Sequence, residues 1–292
     1  MRRLRGRMPY RRYQSGIIAA IAKGNSGFAD LRTDKTARAL PAPFLHGGGK
    51  RGAAAREVTD MRLSDTERAE ELLIGGLKIV QDSRLYRFTS DSVLLSRFAR
   101  AKTGDRVADF CAGSGIVAFH FHALHPASRM HFTLFEMQRG LSLLSEKTIA
   151  LNGLKNFSAV CTRIQDLGEE YREKFSLVLC NPPYERGGPD NADYRKAVCR
   201  KEITVNLEEI ARAAAFSLKF GGRIALTNRA DRLAEVCYVF HSAGIEIKRV
   251  QFAAGREGMK PYLLLCEGVK GGRPGTELLP LLVNAGAPSK SF

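Results

Sequence analysis

Between Arg106 and Glu267, short apolar runs alternate with longer segments of helical period, and this alternation leaves few possible architectures. Strands are expected at 106–110, 131–136, 157–162, 175–180, 222–228, 245–252 and 261–267, and helices at 115–124, 138–151, 203–219 and 230–242. Two strands joined through a helix run parallel, by a right-handed crossover. The expected fold is therefore α/β, a seven-stranded, mostly parallel sheet with helices on both faces. The final two strands have no helical pattern between them, so the last should run antiparallel. Gly221-Gly222 is expected to stop one helix and Gly244 another.

The remainder of the chain divides by composition. Residues 1–60 carry 13 Lys/Arg against four Asp/Glu, a Gly47-Gly-Gly49 run and no sustained period. They read as a basic, disordered extension, and translation starting at Met61 is the plainer explanation of it. Residues 61–100 are expected to form a hairpin and helix that pack on the core, residues 101–284 the main domain, and residues 285–292 a tail. Within the second segment, the acidic stretch from Thr66 to Leu73 reads as a short helix or arm. Leu77–Val80 and Leu85–Phe88 read as two short strands around Gln81-Asp-Ser-Arg84. Ser90 or Asp91 can cap a helix running to Phe98.

The whole chain has 292 residues, 44% of them hydrophobic, and a net charge of +16. That balance suits a globular protein with a polyanionic partner. No apolar stretch reaches the roughly 20 residues that span a bilayer, so no membrane association is expected. Six cysteines without a C-x-x-C pair read as reduced core thiols of a cytoplasmic protein. His120, His122, His125 and His131 fit no usual zinc spacing, and no metal is expected.

Two motifs carry chemistry. The first is Val107-Ala-Asp109-Phe-Cys-Ala112-Gly113-Ser-Gly115, a strand running into a glycine turn where backbone can approach a ligand closely. The next strand ends at Glu136, 21 residues beyond Gly115, where an acid can accept from both ribose hydroxyls. Asp166, after the third strand, can accept from an adenine amino group. Gly113-x-Gly115-x-x-Ala118 also satisfies a dinucleotide fingerprint. Asp109 argues against that reading, because a carboxylate beside two phosphates is repulsive, whereas a cofactor bearing an ammonium group tolerates it.

The second motif is Asn181-Pro182-Pro183-Tyr184, directly after the apolar run Phe175-Ser-Leu-Val-Leu-Cys180. An exocyclic amine on adenine is a poor nucleophile, and positive charge develops on it during attack. The Asn181 side-chain oxygen and the Pro182 carbonyl can accept from its two N–H bonds and stabilise that charge. The prolines hold those carbonyls rigidly. Tyr184 offers a flat face for a base removed from its stack. Turn followed by corner suggests methyl transfer to a planar nitrogen.

These residues resemble the class I S-adenosyl-L-methionine-dependent methyltransferases, Rossmann-like enzymes, in their Asn-Pro-Pro-Tyr branch. From about Leu72 to Asn284 the chain is similar to the bacterial tRNA1(Val) adenine-N6-methyltransferase family. The similarity extends to Gly76-Leu-Lys-Ile-Val-Gln81, Phe88-Thr-Ser-Asp91-Ser-Val-Leu-Leu95, Gly187-Gly188, Lys219-Phe-Gly-Gly-Arg223 and the stretch from Lys260-Pro261 to Lys270-Gly-Gly272. The resemblance implies that Asp109, Ala112, Gly113 and Gly115 hold the methionine end of the cofactor. It implies Glu136 at the ribose, Asp166 near the adenine, and Asn181 with Tyr184 at the target amine. Asp91 is a further candidate cofactor contact, although a helix cap explains it more simply. The implied substrate is RNA, a tRNA adenine beside the anticodon.

Two departures stand out: Cys199-Arg-Lys-Glu202 in place of an Ala-Arg-His-Glu-like segment, and Phe-Cys-Ala-Gly in the turn. Two other readings remain open from sequence. One is a methyltransferase acting on the glutamine amide of a translation release factor. The other is a non-catalytic RNA-binding protein that retains the fold.

Overall fold

In the computed structural model, which describes residues 62–72, 74–85, 89–183 and 205–283, the sheet expected from the alternation is present. A compact unit begins at Arg62. It opens with β1 (Glu67–Glu71) and β2 (Lys78–Asp82), followed by α1 (Ser90–Phe98). Then come β3 (Arg106–Phe110), α2 (Ile116–Leu124), β4 (His131–Glu136), α3 (Arg139–Leu151) and β5 (Phe157–Cys161). The second half consists of β6 (Phe175–Cys180), α4 (Leu207–Ser217), β7 (Leu218–Arg229), α5 (Leu233–Ser242), β8 (Ile245–Ala254) and β9 (Leu263–Lys270). Two-residue strands β10 (Glu277–Leu278) and β11 (Leu282–Val283) complete it.

The main sheet runs β10-β8-β9-β7-β6-β3-β4-β5, with β11 also on β8. Strands β3 to β7 pair in parallel, and β9 is antiparallel to both of its neighbours, β7 and β8. The seven expected strands are thus all present, and β10 and β11 add short parallel pairings at the far edge. Chain direction across the sheet reverses at β3 and β6: the chain first moves outward through β4 and β5, then returns to lay β6 on the other side of β3. Such a switch point opens a crevice at the carboxyl ends of the two strands.

Apolar periodicity supplies both layers. Ile210, Ala214, Val236 and Phe240 of α4 and α5 pack with Val178, Ile224 and Leu226 of the sheet. Right-handed crossovers put α2 and α3 on the opposite face, where α1 lies against α2. Phe119, Phe132 and Phe157 stack there, the last two with ring centroids 4.3 Å apart. Among the described residues no helix is long and apolar enough to cross a membrane.

Three local expectations are corrected. The acidic stretch after Thr66 is a strand that pairs with β2, from Glu67 opposite Asp82 to Glu71 opposite Lys78; of the strand expected at Leu85–Phe88, only Leu85 is described. Residues 86–88 lie outside the described residues. The strand escapes a hydrophobic reading because it is mostly exposed and is held by backbone pairing and one buried ion pair. The Glu67 carboxylate accepts from Lys147 Nζ of α3 at 2.7 Å, both side chains less than a tenth exposed. Secondly, Gly221-Gly222 does not end α4. That helix stops at Ser217, and the glycines form a bulge inside β7, where Gly221 takes φ +73° and a side chain at Gly222 would meet the Lys219 carbonyl at 2.7 Å. Thirdly, the residue preceding α1 is Thr89, so neither Ser90 nor Asp91 is its cap; Asp91 sits in the first helical turn, where its charge suits the helix dipole.

The buried Glu67–Lys147 pair yields a stability prediction. Glu67→Leu strands the Lys147 ammonium and should cost about 3 kcal/mol in urea denaturation, most of which should return in the Glu67→Leu/Lys147→Met double variant.

Candidate functional site

The segment leaving β3 is bent by three left-handed residues: Cys111 at φ +55°, Gly113 at +58° and Gly115 at +83°. For Cys111 this conformation is a strained one, of the kind that clusters at functional sites. The two glycines answer different demands. A Cβ on Gly115 would stand 2.5 Å from the Phe119 ring and 2.6 Å from Leu134, so its bare backbone lets α2 seat on β4. A Cβ on Gly113 would meet nothing within 4 Å, so that residue faces open space. The Ala112 N–H donates to the Phe135 carbonyl at 3.0 Å and fixes the turn to β4.

Glu136, at the end of β4, acts as the latch for this turn. One carboxylate oxygen accepts from the Gly113 N–H at 2.9 Å and the other from the Gln138 N–H at 2.8 Å. Burial raises its pKa, while the hydrogen bonds from Gln138, Gly113 and Met137 work against that rise. With about four lone-pair sites, the carboxylate still has acceptor capacity for a ligand. Thr162 N–H donates to the Glu136 carbonyl, so the segment after β5 leaves the same edge. Asp166 closes a single 3₁₀ turn there and is exposed.

Asp109 lies beneath the turn, 1% exposed. One oxygen accepts from the Ala118 N–H at 3.2 Å, in the first turn of α2; the other, Oδ1, has no partner. Burial, with the nearby Glu136 charge adding to it, pushes the carboxyl up to about 8, against the Ala118 bond that lowers it. The site thus holds a buried acid short of a cation, together with an open backbone at Gly113. These features fit a ligand that carries an ammonium group on one arm.

Across the switch point, Asn181 follows β6. Its amide is gripped at both ends: Thr227 Oγ1 donates to Oδ1 at 2.5 Å, and Nδ2 donates to Ser92 Oγ at 2.9 Å. The register accounts for the first bond, since Cys180 opposite Leu226 sets Asn181 beside Thr227. Ser92 reaches it from the first turns of α1, the helix in which Asp91 is half-buried. Pro182 is buried and Pro183 half-buried. Tyr184 lies outside the described residues, as do Gly187-Gly188 and Cys199-Arg-Lys-Glu202. Ser92 and Thr227 were not anticipated from sequence. Their signal is a polar Thr227-Asn228 pair after the apolar run Ile224-Ala-Leu226, and a second serine in the Thr-Ser-Asp-Ser segment at the start of α1.

Two of the four histidines are engaged elsewhere. His120 is buried with its Nδ1 2.7 Å from Ser96 Oγ, and His122 meets Phe132 and Phe157 edge-on. Burial lowers the pKa of both rings, that of His120 to about 4.

Comparison with known proteins gives this geometry a context. Residues 89–231 match the family model of the methyltransferase small domain. Two relatives, both called tRNA1(Val) (adenine(37)-N6)-methyltransferase, come from Shewanella. That of Shewanella halifaxensis is 23% identical over 62% of this chain and 74% of its own length; that of Shewanella putrefaciens is 25% identical over 61% and 75%. Among solved structures, a predicted O-methyltransferase from Agrobacterium tumefaciens superposes with a TM-score of 0.51 at 18% identity, covering 66% of this chain and 86% of that one. P. horikoshii TYW2 in complex with MeSAdo gives 0.50 at 15% identity, covering 72% and 73%. Residues 89–231 therefore match a methyltransferase small domain, on a Rossmann-like fold as the resemblance implied, and the match supports S-adenosyl-L-methionine as cofactor.

The Asp109 environment makes stability depend on pH. Below about pH 4 the carboxyl is protonated in folded and unfolded chains alike. As pH rises toward 8 the unfolded chain ionises first, so this group's contribution to stability is lost across that interval. Between pH 5 and pH 8 the ligand-free wild type should lose on the order of 3 kcal/mol more than Asp109→Asn, read from urea midpoints at the two pH values.

Proposed function

We propose that this S-adenosyl-L-methionine-dependent methyltransferase methylates the N6 amine of an adenine in RNA, with a tRNA adenine beside the anticodon as its substrate. The observation that carries this reading is the Asn181 amide, fixed at both ends on the switch-point edge that also bears the glycine turn. When bound, S-adenosyl-L-methionine supplies a methyl group on a sulfonium. The chain's own task is to bring a weakly nucleophilic amine to it and to stabilise the charge that develops there.

Asn181 suits that task because its orientation is already set. Oδ1 accepts from Thr227 and keeps a second lone pair, which takes one N–H of the target amine; the Pro182 carbonyl takes the other. Acceptors that need no reorientation when charge appears are the ones that lower the barrier. Tyr184 supplies the face on which the base stacks. Asp109, Ala112, Gly113 and Gly115 bind the methionine end of the cofactor, Glu136 the ribose and Asp166 the adenine. Asp91 stands in the same helix as Ser92 and adds a negative charge near the cofactor.

Three further facts support an RNA substrate. The chain's net charge of +16 favours a polyanion. The curated relatives are named for tRNA. The residues between Arg62 and α1 form a two-stranded hairpin where described, whereas the release-factor methyltransferases usually carry a helical domain before the core.

Purified protein given methyl-labelled cofactor and tRNA should place label in N6-methyladenosine. Asn181→Ala should reduce transfer by roughly 10²–10³-fold with S-adenosylhomocysteine binding retained. A normal rate in that variant would refute the mechanism. Label in a release factor, or in neither substrate, would refute the choice of acceptor.

A further inference from the structure

Gln81 lies on β2, outside the sheet that holds the site, and the reaction described above gives it no task. It is nevertheless 2% exposed and reaches the glycine turn. Its Nε2 donates to the Val80 carbonyl at 3.1 Å and to Ser114 Oγ at 2.5 Å. A carbonyl can only accept, so the first bond identifies the nitrogen end of the amide, and both N–H bonds are then in use. The other end, Oε1, is buried with no partner.

Asp109 Oδ1, at the same turn, is also a buried acceptor without a donor. Each such atom bears the cost of its lost hydration unless something arrives to bond it. Gln81 does not escape the cost by swinging to solvent. Its strand is tied to α3, where Thr148 Oγ1 accepts from the Val80 N–H at 2.9 Å, and its own nitrogen is anchored on Ser114. Two orphaned acceptors, one neutral and one acidic, border a turn whose Gly113 faces open space. The missing partner is a donor with several N–H bonds and a positive charge.

We infer that Gln81 is a cofactor-binding residue: its Oε1 and Asp109 Oδ1 together accept from the α-ammonium group at the methionine end of S-adenosyl-L-methionine. The inference rests on the assignment of the cofactor to this turn. An ammonium offers three N–H donors, enough for both oxygens. A neutral second acceptor serves better than a second carboxylate, because another buried negative charge would oppose the ionisation of Asp109. The hairpin that precedes α1 thereby becomes part of the cofactor site.

Calorimetry with two ligands tests this. S-adenosylhomocysteine carries the ammonium group, while 5′-methylthioadenosine keeps the nucleoside and thioether but has no amino-acid arm. In Gln81→Met the Kd for S-adenosylhomocysteine should rise about tenfold or more, with that for 5′-methylthioadenosine unchanged. Gln81→Asn, whose carbonyl is withdrawn by one methylene, should show the same selective loss and serves where the methionine variant does not fold. Unaltered S-adenosylhomocysteine binding in the variants overturns the inference. So does an equal loss for both ligands in folded protein, which would make Gln81 a packing residue. Wild-type protein that binds neither ligand overturns the cofactor assignment itself.

Discussion

Parallel pairing of β3 with β6, Phe110 opposite Cys180, is the constraint from which the site follows. Each strand ends at that level, so the chain leaves the sheet at two neighbouring points, once as the glycine turn and once as the Asn-Pro-Pro corner. A one-residue slip would exchange the faces of Asp109 and Asn181 with those of their apolar neighbours. Continuous burial of both strands excludes it: every residue of β6 is buried, and so is all of β3 after Arg106.

The site is held mainly by backbone donors and short-range polar grips. Glu136 uses both oxygens to hold the turn, and Asn181 uses both ends of its amide to hold itself. Rigidity of this kind matters more for a transferase than added attraction, since the reaction gains from alignment and from acceptors already in place. The strained φ of Cys111 and the unpartnered oxygen of Asp109 are costs concentrated at the same spot. A fold stabilised elsewhere by aromatic stacking and a broad apolar core can sustain them.

Much of this was legible in the sequence because it is written in periodicity. The parallel strands contain short apolar runs, and the glycine turn and proline corner are marked by residues with restricted or unusual backbone preferences. The parts that escaped are those in which tertiary contacts override local signal. Glu67–Glu71 is charged and reads as a helix or arm, yet a partner strand and the Lys147 ammonium make it a strand. Gly221-Gly222 reads as a helix stop, yet Leu218 has already joined β6 and turns the glycines into a bulge. Ser92, Thr227 and Gln81 are ordinary polar residues in sequence. Their importance comes only from what the fold sets beside them, across separations of 89, 46 and 33 residues.

Those separations bear on when the protein becomes competent. The amide of Asn181 is oriented by a helix made well before it and by a strand made well after it. A growing polypeptide that has just released residue 181 from the ribosome has the corner but not the strand that steadies it. Until Thr227 has emerged and β7 has closed onto β6, the amide is held at one end only, by Ser92. Competence therefore arrives late in synthesis, after β7 has been made and paired.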